Sequence, residues 1–246
     1  MNNLENILHQ FSNKLGKIAI LIDPDKNKNE NNLIKLIKKI NDARVDFIFI
    51  GGSTVSKIDF DFTIDIIKKN SKLPIIIFPG SKFQISDKAD AILYLSLISG
   101  RNPEYLIGQH IESAKKVSEL NIEVIPTGYI LISGGIISSV EKTSGTKPID
   151  RTNNKEISQT ALAGKLLGKR IIFFDAGSGA KEAVPSEIIK EVSNFKIPII
   201  VGGGINSIKE IKEKKKAGAN VIVIGNKIEK DESFLEEIKY YNLTNT

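Results

Sequence analysis

Three glycine-rich turns mark the second half of the sequence: Asp175-Ala176-Gly177-Ser178-Gly179-Ala180, Gly202-Gly203-Gly204-Ile205-Asn206 and Gly225-Asn226. Glycine lets successive backbone N–H groups turn toward a bound anion and lie close to it. One such turn would be a tight connection and nothing more, but three in succession point to a phosphate seat. In the first half, Asp23-Pro24-Asp25-Lys26 and Gly51-Gly52-Ser53-Thr54 follow apolar runs. Carboxylates and a hydroxyl without His or Cys suit a hard cation such as Mg²⁺, which fills its shell with water and substrate phosphates. Asp23 or Asp25 could equally cap the turn that follows. Asp175 is a candidate general base for a hydroxyl on the phosphate-bearing substrate, or else an acceptor for loop amides. Tyr129 could donate to substrate or pack. Arg101, beside a helix start at Asn102-Pro103, offers a second anion contact or a surface ion pair. His9 and His110 adjoin no serine nucleophile motif, so no Ser-His-Asp triad is evident.

The elements that must position these groups are short apolar runs alternating with amphipathic stretches. Strands are predicted at residues 18–22, 47–50, 74–78, 91–95, 123–125, 171–174, 197–201 and 221–224. Helices are predicted at 32–42, 60–69, 102–120, 156–167, 186–193, 207–216 and 232–241. Continuously apolar strands imply burial on both faces and a parallel sheet. Eight strand–helix alternations in 246 residues predict a single-domain α/β protein, a (β/α)₈ TIM barrel over residues 1–246. The glycine fingerprint of a doubly wound dinucleotide-binding sheet is absent after the first strand. Two intervals depart from the pattern. Residues 79–90 are too few for loop, helix and loop, so the helix after the third strand is replaced by a short loop. Neighbours could cover the gap, or it could form a lateral groove for a long apolar chain. Residues 127–155 form a long Ser-, Gly-, Thr- and Lys-rich stretch on the face where barrel active sites form.

Composition excludes several classes. There is no cysteine, hence no disulfide scaffold, thiolate metal site or Cys nucleophile. No apolar run is long enough to span a bilayer, and the polar start at Met1–Gln10 lacks a secretory h-region, so a cytoplasmic protein is expected. The balance of 35 basic against 29 acidic residues, a formal +6, suits an anionic substrate or lipid surface. Nucleic acid is not an expected partner, because no recognition motif accompanies the charge.

In order along nearly the whole chain, Leu21-Ile-Asp-Pro-Asp-Lys26, Phe49-Ile-Gly-Gly-Ser53, Phe78-Pro-Gly80, Ser96-Leu-Ile-Ser-Gly-Arg-Asn-Pro-Glu-Tyr105, Ile125-Pro-Thr-Gly-Tyr129, Asp175-Ala-Gly-Ser-Gly-Ala180, Val201-Gly-Gly-Gly-Ile205 and Ile224-Gly-Asn226 resemble the geranylgeranylglyceryl phosphate synthase family, in its longer group. The resemblance implies ether formation between the C3 hydroxyl of sn-glycerol 1-phosphate and a long prenyl diphosphate, with release of diphosphate. It implies Mg²⁺ held by Asp23 and Ser53. The glycerol phosphate would be held by Phe173, Phe174, Ala176, Gly177, Ser178 and Gly179, with Gly203, Gly204, Gly225 and Asn226 opposite. Asp175 stands where the family usually has Glu, Phe173 where many members have Tyr, and Leu21 where the shorter group has a phosphate-binding Lys. Loop amides or Lys26 would then supply the missing charge. Arg101 would help offset the departing diphosphate. Homo-oligomers and peripheral contact with a membrane are further expectations. The competing readings are another phosphate-site barrel enzyme, such as an isomerase, and a non-catalytic phosphate- or lipid-binding barrel.

Overall fold

The computed structural model describes residues 6–244. Eight parallel strands close into one barrel in chain order: β1 (Lys17–Ile22), β2 (Phe47–Ile50), β3 (Ile75–Ile77), β4 (Ala91–Leu97), β5 (Glu123–Leu131), β6 (Ile171–Asp175), β7 (Ile199–Gly202) and β8 (Val221–Ile224). The last pairs with the first, with Ile18 opposite Ile222. Side chains alternate across each strand. Ala19, Phe47, Phe49, Ile76, Leu93, Phe173, Ile200 and Val221 pack inside the barrel, while Ile18, Ile20, Ile48, Ile50, Ile172, Phe174, Val201 and Ile222 pack outward under the helices. Both faces are buried, as an all-parallel sheet requires.

The outer layer comprises α2 (Glu30–Asp42), α3 (Lys57–Asn70), α4 (Gln109–Ser118), α6 (Asn154–Leu166), α7 (Ser186–Ser193), α8 (Ile208–Ala217) and the pair α9 (Asn226–Lys230) and α10 (Phe234–Thr244). Local chemistry fixes their starts: Asn29, Ser56, Asn153 and Ser207 each accept an early backbone N–H of the following helix. A short α1 (Ile7–Ser12), not foreseen from the polar N-terminal stretch, closes the far end of the barrel. Phe11 meets Phe47 edge-on at 4.8 Å, and Glu123 accepts the Ile7 N–H at 2.6 Å.

Between β3 and β4 there is no helix, as the short interval predicts. Gln84, fully buried, holds that loop: its Oε1 accepts from the N–H of Gly80 at 3.1 Å, and its Nε2 donates to the Gly52 carbonyl at 2.7 Å. Where the sequence predicts a strand over 123–125 and then loop, β5 continues to Leu131. Pro126 and Gly128 read as breakers, yet both have a reason to be there. Pro126 lends its carbonyl to the Arg170 N–H at 2.7 Å. A Cβ on Gly128 would meet Ile98 at 2.8 Å and Ile172 at 3.1 Å, so glycine permits close packing on the outer face. Tyr129 therefore lies inside a strand. The remaining stretch contains α5 (Ser139–Ser144) and a parallel bridge from Ile132 to Ile149.

Candidate functional site

The strand C-termini open into a cavity of about 380 Å³, lined by Asp23, Ser53, Tyr129, Phe173, Asp175, the three glycine turns and part of α5. The cavity runs on past Phe78 into the flank vacated by the missing helix, where Ile85, Ile92, Tyr94, His110, Ser113 and Val117 form its wall. A polar mouth and a largely apolar groove are thus one space, within the usual size for a ligand site.

On one side of the mouth, Gly177, Gly179, Gly203 and Gly204 have φ between +71° and +91°, a region costly to any residue with a Cβ. At Gly203 the reason is steric as well: a Cβ there would sit 2.7 Å from an Asp175 oxygen and 2.7 Å from the Gly177 nitrogen. Asn226 occupies part of this cradle. Its Oδ1 accepts from the Gly179 N–H at 2.7 Å and the Ser178 hydroxyl at 3.0 Å, and its Nδ2 donates to Glu229 at 2.9 Å. Lys26 donates to the same Glu229 oxygen at 2.6 Å and lies 3.8 Å from Asp23. A polar chain therefore links the loops after β6, β8 and β1. Nothing in the sequence marked Glu229 as part of it, because its position follows from barrel closure.

Opposite, Asp23 does cap a turn, its Oδ1 accepting from the Asp25 N–H at 3.1 Å; Oδ2 remains on the side of Lys26. Burial raises the Asp23 pKa, partly offset by the Asp25 amide and by Lys26. Asp25 accepts the Thr54 hydroxyl at 2.7 Å, and Asp23 and Ser53 line the same side of the mouth. Among the described residues no three His, Cys, Asp or Glu side chains cluster to hold a metal. One carboxylate and one hydroxyl fit Mg²⁺ bound chiefly through water and a phosphate-bearing substrate.

Asp175, 8% exposed, accepts from Tyr129 at 2.5 Å and from the Gly177 N–H at 2.7 Å. Burial pushes its pKa up, opposed by those two hydrogen bonds; burial, then the Asp175 charge, push Tyr129 well up. The rings of Phe78, Tyr129 and Phe173 stand 5.0–5.9 Å apart beside the carboxylate.

The cavity wall brings together Asp23, Ser53, Tyr129, Phe173, Asp175, Ser178, Gly179, Gly203, Gly204, Gly225 and Asn226. Other expected contacts lie elsewhere. Phe174 and Ala176 pack outward under the helices, because alternation along β6 sends every second side chain that way. The Gly177 amide is taken by Asp175. Arg101 folds back on its own turn, donating to the Gly100 carbonyl at 2.7 Å, and does not line the cavity; Lys26, Lys82, Lys227 and Lys230 are the cations that do. His110 packs edge-on against Tyr94 at 4.4 Å. Ser139, Val140 and Thr143 of α5 line the mouth, and Tyr105 is tied to the Thr143 carbonyl at 2.9 Å. Sequence reading reached only the long loop that carries α5.

Fold and mouth together define a class: (β/α)₈ barrels that gather an anion seat from the turns after their last strands. Within that class the chain belongs to the PcrB family, whose model matches residues 13–243. It is 47% identical over 224 residues to the geranylgeranylglyceryl phosphate synthase of Zunongwangia profunda, covering 90% of this chain and 95% of that protein. With the Pyrococcus horikoshii protein of the same name it shares 39% over 241 residues, covering 97% and 93%. The crystal structure of (S)-3-O-geranylgeranylglyceryl phosphate synthase from Thermoplasma acidophilum in complex with substrate sn-glycerol-1-phosphate superposes with a TM-score of 0.88 at 34% identity, covering 97% of this chain and 96% of that one. A tryptophan synthase α-subunit from Pyrococcus furiosus, at 12% identity and a TM-score of 0.60, shares the fold alone.

Proposed function

We propose that this protein is a Mg²⁺-dependent prenyltransferase that joins geranylgeranyl diphosphate, or a similar long prenyl diphosphate, to the C3 hydroxyl of sn-glycerol 1-phosphate. The observation that carries the reading is the single cavity that joins an anion cradle, a buried carboxylate and an apolar flank groove. A sugar-phosphate isomerase has no use for that groove. The family relationship and the glycerol phosphate in the Thermoplasma acidophilum complex support the same conclusion.

The glycerol phosphate would take the amides around Ser178, Gly179, Gly203, Gly204, Gly225 and Asn226, displacing the Asn226 carboxamide oxygen from the Gly179 N–H. This sets the C3 hydroxyl beside Asp175. The prenyl chain would lie along Ile85, Ile92, Tyr94 and Val117, with its diphosphate toward Asp23 and Ser53. Those two residues would hold Mg²⁺, which when bound supplies positive charge to the departing diphosphate. As the allylic carbon–oxygen bond breaks, the electron pair leaves with diphosphate. The glycerol oxygen forms the new ether bond, and its proton passes to Asp175. Charge building on the allylic carbon lies near the Phe78, Tyr129 and Phe173 rings, whose faces favour a cation. Holding both substrates in one cavity removes the entropic cost of bringing them together during the reaction, and the groove walls keep water from the carbon.

The test is transfer of radiolabel from sn-glycerol 1-phosphate into an organic-extractable product in the presence of geranylgeranyl diphosphate and Mg²⁺. The mirror-image sn-glycerol 3-phosphate serves as the control. Label that stays in the aqueous phase with both phosphates refutes the assignment.

A further inference from the structure

Asp175 is a short side chain at the end of β6, and two features of the mouth fix where its carboxylate points. The loop after β6 gives the Gly177 N–H to one oxygen at 2.7 Å. β5 gives the Tyr129 hydroxyl to the other at 2.5 Å. Tyr129 pairs in register with Phe173, two residues before Asp175, and is only 4% exposed. Its hydroxyl is thus delivered from a rigid strand. The turn after β7 closes the remaining side with backbone alone, since a Cβ on Gly203 would lie 2.7 Å from the Asp175 oxygen.

We propose that Tyr129 is a positioning residue for Asp175: its hydroxyl holds the carboxylate in one plane, facing the substrate hydroxyl, and is not itself a substrate contact. This deepens the reading of Asp175 as the proton acceptor and rests on it. A carboxylate has about four lone-pair sites. With two taken by Tyr129 and Gly177, the others can face the cavity that Asp175 and Tyr129 both line. Without the hydroxyl the aspartate torsion χ2 has a broad, soft preference, and the carboxylate can swing away from its narrow seat.

The same bond governs ionisation. Burial disfavours the charged form, and Tyr129 and the Gly177 amide favour it. From β5 the facing group is Tyr129, from the loop after β6 the Gly177 amide, and from the end of β7 and the turn after it the uncharged backbone of Gly202 and Gly203. No charged side chain contributes to the shift. Removing one of two donors to a buried ion therefore raises the Asp175 midpoint by about one to two pH units.

The test is Tyr129→Phe, which keeps the ring and deletes the hydroxyl. In protein labelled with ¹³Cγ-aspartate, the Asp175 resonance is assigned by its loss in Asp175→Asn and titrated in wild type and Y129F. We expect the midpoint to rise by one to two units. The acid limb of kcat/KM should move by the same amount, kcat should fall at least tenfold below that limb, and KM for glycerol phosphate should stay within twofold. An unmoved midpoint overturns the proposal, as does a KM raised tenfold with kcat unchanged, which would make Tyr129 a substrate contact. In the wild type, the hydroxyl proton held on the carboxylate should give a downfield resonance that Asp175→Asn removes; its absence also counts against the bond, whether or not Y129F folds. Should the wild type turn over no prenyl substrate, the function assigned above fails, while the carbon titration still decides the link between Tyr129 and Asp175.

Discussion

Replacing Gly203 by alanine tests whether the mouth is built around the Asp175 carboxylate. The backbone there has φ +78°, so any L side chain carries the left-handed penalty of about 1–2 kcal/mol. The added methyl would also sit 2.7 Å from an Asp175 oxygen, 2.7 Å from the Gly177 nitrogen and 2.9 Å from the Ala176 nitrogen. Ordinary contact needs about 3.5 Å or more, so the carboxylate or the turn must retreat by most of an ångström. A misplacement of that size can lower a rate about a hundredfold. Gly168→Ala is the control: its φ is +84°, yet a Cβ there meets nothing within 4 Å. Both variants should lose stability through backbone strain, and at about 2–4 °C per kcal/mol for a chain of this size both melting temperatures should fall by several degrees. Only Gly203→Ala should also lose about two orders of magnitude in kcat, measured by label transfer from glycerol phosphate at saturating substrate. Equal activity in the two variants would show that the carboxylate does not depend on that glycine, and the geometric argument for the site would fail.

Asp175→Asn should lower turnover by about 10²–10⁴-fold, the usual worth of a positioned proton acceptor; retention of activity within a few-fold would remove Asp175 from the chemistry. The wild-type rate should fall as acidity protonates Asp175. Burial pushes its carboxyl above the usual aspartate range and the ionised form is the active one, so activity is lost at a higher pH than an exposed aspartate would give, which a pH–rate profile reads directly. Asp23→Asn should raise the Mg²⁺ concentration for half-maximal rate at least tenfold, since it weakens one of the two protein ligands proposed above; an unchanged Mg²⁺ titration contradicts the assignment. Val117→Phe narrows the groove wall at the end of α4. At about 0.8 kcal/mol per buried CH₂, shutting out one five-carbon unit should weaken long prenyl diphosphates by two orders of magnitude or more, with shorter ones little affected. Competition between chain lengths measures this.

Legibility in the sequence followed the range of the interactions. The glycine turns, the Asp23 turn and the apolar strands are written in neighbouring residues, and each occurs where expected. The missing helix between β3 and β4 was visible as a simple shortage of residues. The end of β5 was not, because Pro126 and Gly128 punctuate the chain locally but are accommodated by Arg170, Ile98 and Ile172 from other elements. Arg101 is a position whose type and place beside a helix start suit an anion, and the structure turns one of its N–H groups onto the carbonyl of Gly100 in its own turn.

By itself, the order of residues determined the barrel, the end of the barrel that carries chemistry and the kinds of group gathered there. These depend on periodicity, burial and turn preference, which act over a few residues at a time. Tertiary structure alone decided that Tyr129 serves Asp175, that Asn226 and Lys26 meet at Glu229, and that the flank groove opens into the mouth. The Tyr129–Asp175 and Lys26–Glu229 contacts join positions 46 and 203 residues apart, and only the packing of neighbouring strands and closure of β8 onto β1 set such distances.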